Sequence, residues 1–344
     1  MTMRWIIAGL SQRCRNLANG WNQFWFTPAD PTTLGAIRIC AGLLLLYQHL
    51  ACLPELFHYI GPSAWIDAQA IAEIRQLGES SGSWYEAFFG QSLWIHVQDP
   101  VLIALTYGLF LLALVGFTIG LFTRPLSVLV WAGHISYVQR GYMLCFGMDT
   151  VLAFLTLYLM LGPSGAALSV DAARKQRRGA GGATPSWSAN LAIRMIQVHI
   201  GIVYLCAGLA KLQGSRWWDG TAVWLSLMLS EFALFDFGWL AHGGDLFCLT
   251  LSNVGVAVTL FLEIGFAFLV WNRSWRPVML GLAVVLHAGI GIFMGMAAFG
   301  LVMLTGCLAF VEPVSIRKVI DAARRVPRSE LAQASAPRRP SLAA

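Results

Sequence analysis

Apolar residues gather in eight blocks along the chain, at about 33–53, 100–122, 126–139, 142–161, 193–212, 246–271, 277–296 and 299–310. Each block predicts an α-helix, and most reach the roughly 20 residues that cross a bilayer. The fifth is the most informative. Wound as a helix, it sets Arg194, Gln197, Gly201, Tyr204, Gly208 and Lys211 on one stripe, at steps of three and four. Almost everything between them is Ile, Val, Leu, Ala or Met, so the segment is apolar around most of its circumference with one polar seam. Such a seam faces protein rather than lipid. Its two glycines predict the close approach of another backbone.

The polar stretches divide the chain. An arm at 1–32 is basic and aromatic and predicts an interfacial or cytosolic helix, with Asp30-Pro31 starting the first span. Loops at about 54–99 and 213–245 hold most of the acidic residues. A basic segment at about 163–189 carries Arg174, Lys175, Arg177 and Arg178 before a Gly-Ala-rich run, and reads as a flexible linker between two groups of four spans. The tail at 312–344 is predicted to be helical at first and then disordered.

Composition agrees with this pattern: 57% hydrophobic and 12% charged residues, with a mean hydropathy of +0.65, are membrane values. The formal charge of +6 reads as orientation rather than nucleic-acid binding. With the N-terminus in the cytoplasm, 17 of the 23 Lys and Arg fall inside and only Arg75, Arg140 and Arg216 outside. The positive-inside rule therefore predicts an all-α bundle of about eight spans with both termini cytoplasmic, embedded in the lipid bilayer.

Ionisable groups within spans are functional suspects. Counted by depth, Arg38 and Glu263 lie near the inner ends of spans one and six and predict a structural ion pair. His49, Asp149, Lys211, and nearer mid-depth His134 and His287, share the outer half. A metal is not expected, since no two histidines stand at ligand spacing on one helix. Among the seven cysteines, Cys52, Cys145 and Cys248 fall near the outer face, where pairing is open.

The run Ile202-Val203-Tyr204-Leu205-Cys206-Ala207-Gly208-Leu209-Ala210-Lys211-Leu212, followed by Trp218-Asp219-Gly220, resembles the signature of the vitamin K-dependent γ-carboxylases and their bacterial HTTM (horizontally transferred transmembrane) relatives. Leu34 to Leu46, and His287 through Gly295 and Met296, resemble further blocks of that family. The likeness covers most of 21–313 and implies an HTTM-like domain at 33–311. It implies that Lys211 is the base that deprotonates reduced vitamin K or menaquinone, with O2 and CO2 as further reactants. His49, Asp149 and His287 would assist, and Tyr204, Gly208, Trp217 and Trp218 would line the cofactor site. The first of the carboxylases' two lysines is replaced by Ala210, and their Asn-His pair by Leu144-Cys145. The chain also stops about thirty residues after its last span, where the carboxylases carry a β-rich domain. The resemblance thus implies quinol oxidation rather than full glutamyl carboxylation, in a bacterial inner membrane. Two alternatives stay open: a non-enzymatic factor that binds or matures a small secreted peptide through the outer loops, and a transporter.

Overall fold

The computed structural model describes residues 2–67, 69–71, 73, 92–179, 181–228, 236 and 238–334. Arg75 and the last ten residues of the tail lie outside them. Among the described residues there is no strand, and the isolated bridge between Ala29 and Ser186 ties the arm to the end of the linker.

The principal helices are α1 (Thr2–Phe26), α2 (Thr32–Ala51), α3 (Pro100–Ile119), α4 (Thr123–Arg140), α5 (Gly147–Leu161), α6 (Val170–Arg177), α7 (Trp187–Lys211), α8 (Asp245–Leu269), α9 (Arg276–Phe293), α10 (Ala297–Cys307) and α11 (Pro313–Ala334). Helices α2, α3, α7, α8 and α9 are long and apolar enough to cross a membrane, while α5 and α10 are shorter apolar helices. At 15 residues α5 is about 22 Å long, less than the roughly 30 Å of a hydrocarbon core.

Local chemistry sets the ends. Asp99 accepts hydrogen bonds from the backbone N–H groups of Val101 and Leu102, and Pro100 occupies the first turn of α3. Gly120 closes that helix in the left-handed region at φ +74°. Arg124 and Pro125 lie inside the first turn of α4, where proline's missing N–H costs nothing. Asp30 accepts from the N–H and hydroxyl of Thr32 at the start of α2.

Helices α2 to α5 pack as one group and α7 to α10 as a second, joined where α2 and α5 meet α7 and α10. The shared core draws on one stripe of α2, namely Leu34, Ile37, Ala41 and Leu45, all fully buried. The outward face is equally apolar: Leu105, Leu109 and Leu112 of α3 are 58 to 69% exposed. Apolar residues on both faces fit a helix with protein on one side and lipid on the other.

The stretch expected to be a flexible linker is largely folded. Ser169 caps α6, and Asp171 accepts from the N–H groups of Phe122 and Thr123 and from the Thr123 hydroxyl. Arg38, fully buried, donates to the carbonyls of Ser164 and Leu168, both at 2.5 Å. This corrects the expected Arg38–Glu263 ion pair. Gly120 makes room for the contact, because a Cβ there would lie 2.9 Å from the Arg38 guanidinium carbon. A buried guanidinium needs acceptors, and these carbonyls provide them without a carboxylate.

Candidate functional site

The seam of α7 is real and faces α8 and α9. A Cβ added at Gly208 would lie 2.7 Å from Ile264 Cγ1 and 3.1 Å from Glu263 Cβ, so the missing side chain lets α8 come against α7. One turn later, Lys211 Nζ donates to Glu263 Oε1 at 2.8 Å. The Glu263 side chain is 8% exposed and that of Lys211 28%. The ammonium also lies 5.4 Å from the centre of the Trp217 ring, a favourable cation–π placement.

Beside the pair, the Tyr204 hydroxyl and His287 Nε2 share a hydrogen bond at 2.7 Å; with the phenol as donor, the imidazole proton sits on Nδ1. Tyr204 stacks on Phe266 of α8 and lies 3.7 Å from the Cys307 thiol of α10. The phenyl ring of Phe299 stands edge-on to His287. Two buried polar atoms of this cluster have no partner: Glu263 Oε2, an acceptor, and His287 Nδ1, a donor when Tyr204 donates to Nε2. Buried atoms of that kind are rare and ask for a ligand or water. Four helices, α7 to α10, therefore contribute one amine, one carboxylate, one imidazole, one phenol and one thiol to a single site.

His49 and Asp149 belong to a different network, among α2 to α5. His134 Nε2 donates to the Asp149 carbonyl at 3.1 Å, since a carbonyl only accepts. His134 Nδ1 then accepts from His49 Nε2 at 3.3 Å, and His49 Nδ1 accepts from the Tyr107 hydroxyl at 2.9 Å. Gln48 donates to one Asp149 carboxylate oxygen, and the other accepts from the Phe146 N–H at 2.7 Å at the start of α5. Each ring nitrogen thus has a partner with both imidazoles neutral, and the hydrogen bonds of this network run among α2 to α5, apart from the Lys211–Glu263 bond. Of the assisting residues expected around Lys211, the structure brings only His287 to its cluster.

Trp217 faces Lys211, whereas Trp218 is 73% exposed and donates to the Leu212 carbonyl. Glu263 and Cys307 join the site without having been expected there. Among the described residues no three His, Cys, Asp or Glu side chains are placed to hold a metal ion, and the described cysteines are free thiols.

An all-helical bundle with five helices of membrane-crossing length, and a lysine–carboxylate site buried among them, defines an integral membrane protein. The HTTM domain family model matches residues 26–314, and the chain belongs to that family, which is associated with vitamin K-dependent carboxylase-like membrane proteins. No curated protein and no solved structure matches the chain.

Proposed function

We propose that the protein is a vitamin K-dependent carboxylase-like enzyme that oxidises a lipid-soluble quinol, such as reduced menaquinone or vitamin K, with Lys211 as the base. The observation that carries this reading is the Lys211–Glu263 pair flanked by two unpartnered buried atoms, Glu263 Oε2 and His287 Nδ1. They form a hydrogen-bonding edge, one accepting and one donating, against apolar surroundings from Phe266 and Phe299, and a hydroquinone ring with polar oxygens suits that edge. When bound, the quinol supplies an acidic O–H and reducing electrons, with O2 as oxidant.

The protein's own residues supply the proton handling. In a dry setting an ion pair and its neutral form, amine beside carboxylic acid, are closer in energy than in water. Glu263 therefore serves as the holder of the Lys211 proton, which frees Nζ to accept another. His287 Nδ1–H donates toward developing negative charge, and Tyr204 fixes the ring that bears it. Trp217 screens the amine from water on one side.

The proposal includes the expected membrane arrangement: α4, α5 and α10 complete eight spans with α2, α3, α7, α8 and α9, and both termini lie in the cytoplasm of a bacterium. It stops at quinol oxidation and leaves glutamyl carboxylation aside. The test is oxygen-dependent epoxidation of reduced menaquinone or vitamin K by the purified protein in lipid, beside Lys211→Ala. Turnover that depends on the lysine is expected. Absence of turnover by folded, reconstituted protein, or turnover retained in Lys211→Ala, overturns the enzyme reading and turns attention to a peptide partner.

A further inference from the structure

The end of the bundle that carries the linker holds a second polar site, lined by Asp30, Asn190, Arg194, Gln197, Arg276 and Glu312, around a cavity of about 200 Å³. Its two arginines are held by uncharged acceptors. Arg194 Nη1 donates to Gln197 Oε1 at 2.9 Å, and Gln197 in turn donates to the Ala309 carbonyl at 2.7 Å. The Arg194 guanidinium lies 4.4 Å from the centre of the Phe24 ring and 5.8 Å from that of Trp271. Arg276 donates from Nε to the Val270 carbonyl and from Nη2 to that of Trp271.

Neither arginine has a carboxylate oxygen within 4 Å among the described residues. Of the two acids at the cavity, Asp30 is engaged by Arg317 and Thr32, and Glu312 is exposed and in no such ion pair. The Arg194 Nε is buried with no partner. Two like charges, near enough to act on each other, are thus kept in place by aromatic faces and carbonyls that cannot neutralise them. An anion supplies what is missing, and the guanidinium fork matches the oxygens of a phosphate group.

The surroundings place the cavity at headgroup depth. Trp21, Trp187 and Trp275 are exposed around this end, and Phe24, Trp25 and Trp271 cluster beside them, as in an interfacial aromatic belt. We infer that Arg194 and Arg276 form a binding site for a phosphate group, carried by an anionic phospholipid or free in solution. This site is separate from the Lys211 cluster and does not rest on the quinol reading.

The test uses the full chain in nanodiscs of phosphatidylglycerol or of phosphatidylcholine. Retained lipid is measured by mass spectrometry, and thermal stability is followed with and without inorganic phosphate. Selective retention of phosphatidylglycerol, reduced about tenfold by Arg194→Gln or Arg276→Gln and unchanged by Arg177→Gln on exposed α6, assigns the site to lipid headgroups. Stabilisation by inorganic phosphate alone, lost in the same variants, assigns it to soluble phosphate. Should the glutamine variants misfold, Arg194→Lys and Arg276→Lys keep the charge and lose the fork, and weakened retention is expected. Equal retention of both lipids with no response to inorganic phosphate, or full retention in folded Arg194→Gln/Arg276→Gln protein, overturns the inference.

Discussion

Replacing Lys211 with Met strips Glu263 of its charged partner, with the carboxylate on a side chain that is 8% exposed. One carboxylate oxygen already lacks a hydrogen bond, so the substitution leaves both uncompensated. Removing one member of a buried pair costs about 3 to 5 kcal/mol, and the 28% exposure of Lys211 puts this case at the lower end, about 3 kcal/mol. The reverse change, Glu263→Leu, leaves an ammonium that reaches solvent more easily and keeps the Trp217 face, so a loss of about 1 to 2 kcal/mol is expected. The double variant Lys211→Met/Glu263→Leu replaces the pair with apolar side chains of similar size. It should return to within about 1 kcal/mol of the parent, because no buried charge is stranded. Chemical unfolding in mixed detergent, measured for all four proteins, gives the coupling, expected at about 3 to 5 kcal/mol from the losses above. Losses that simply add, with coupling under about 0.5 kcal/mol, would refute the pair. The cycle also protects the activity test: a stable double variant without turnover separates lost chemistry from lost folding.

Gly208→Ala should destabilise the protein by about 1 to 3 kcal/mol by forcing α8 away from α7, while Gly201→Ala, whose Cβ would sit 3.7 Å from Ala267 Cα, should be near neutral. Equal unfolding midpoints for the two would contradict the close approach at Gly208. Arg38→Leu leaves the Ser164 and Leu168 carbonyls without their donor and should make residues 163–178 sensitive to limited proteolysis. A cleavage pattern identical to the parent's would show that other contacts hold the linker. For Asp171, burial raises the pKa, but hydrogen bonds from Thr123 and Phe122 and the charge of Arg174 outweigh it, leaving the carboxyl below its ordinary 3.8. Its contribution is therefore complete above that ordinary value and lost as pH falls through the lowered one. The stability gap between the parent and Asp171→Asn should be flat at neutral pH and close only in strong acid; a gap that closes near neutrality would speak against the capping role.

The stripe from Arg194 to Lys211 was legible because helical spacing alone puts those residues on one face, and both glycines do meet α8. The partner of Lys211 was not. Glu263 was assigned a depth by counting residues from the loops, but α8 has 25 residues, about 37 Å, more than a membrane's hydrocarbon core, so its register against α7 does not follow from its ends. Arg38 misled for another reason: its acceptors are main-chain carbonyls, which any sequence has and none advertises. Depth also failed to separate His49 and Asp149 from His287. Residue counting gives height along a bundle but not the side of it, and the two four-helix groups enclose separate networks. Cys307 carried no signal, since a thiol on an apolar helix looks like core.

Because Arg38 and Thr123 hold residues 164–171 to the first helix group, the covalent joint between the halves shrinks to the glycine-rich run that follows α6. Gly179, Gly181 and Gly182 have nothing within 4 Å of where a side chain would begin, and the first two adopt positive φ. The halves themselves meet through α2 and α5 against α7 and α10, an interface that does not depend on that joint. The molecule is therefore built like a complex of two subunits that share one chain. Severed at this run, with both pieces produced together, it should reassemble by fragment complementation, whereas a break at 164–171 should not heal.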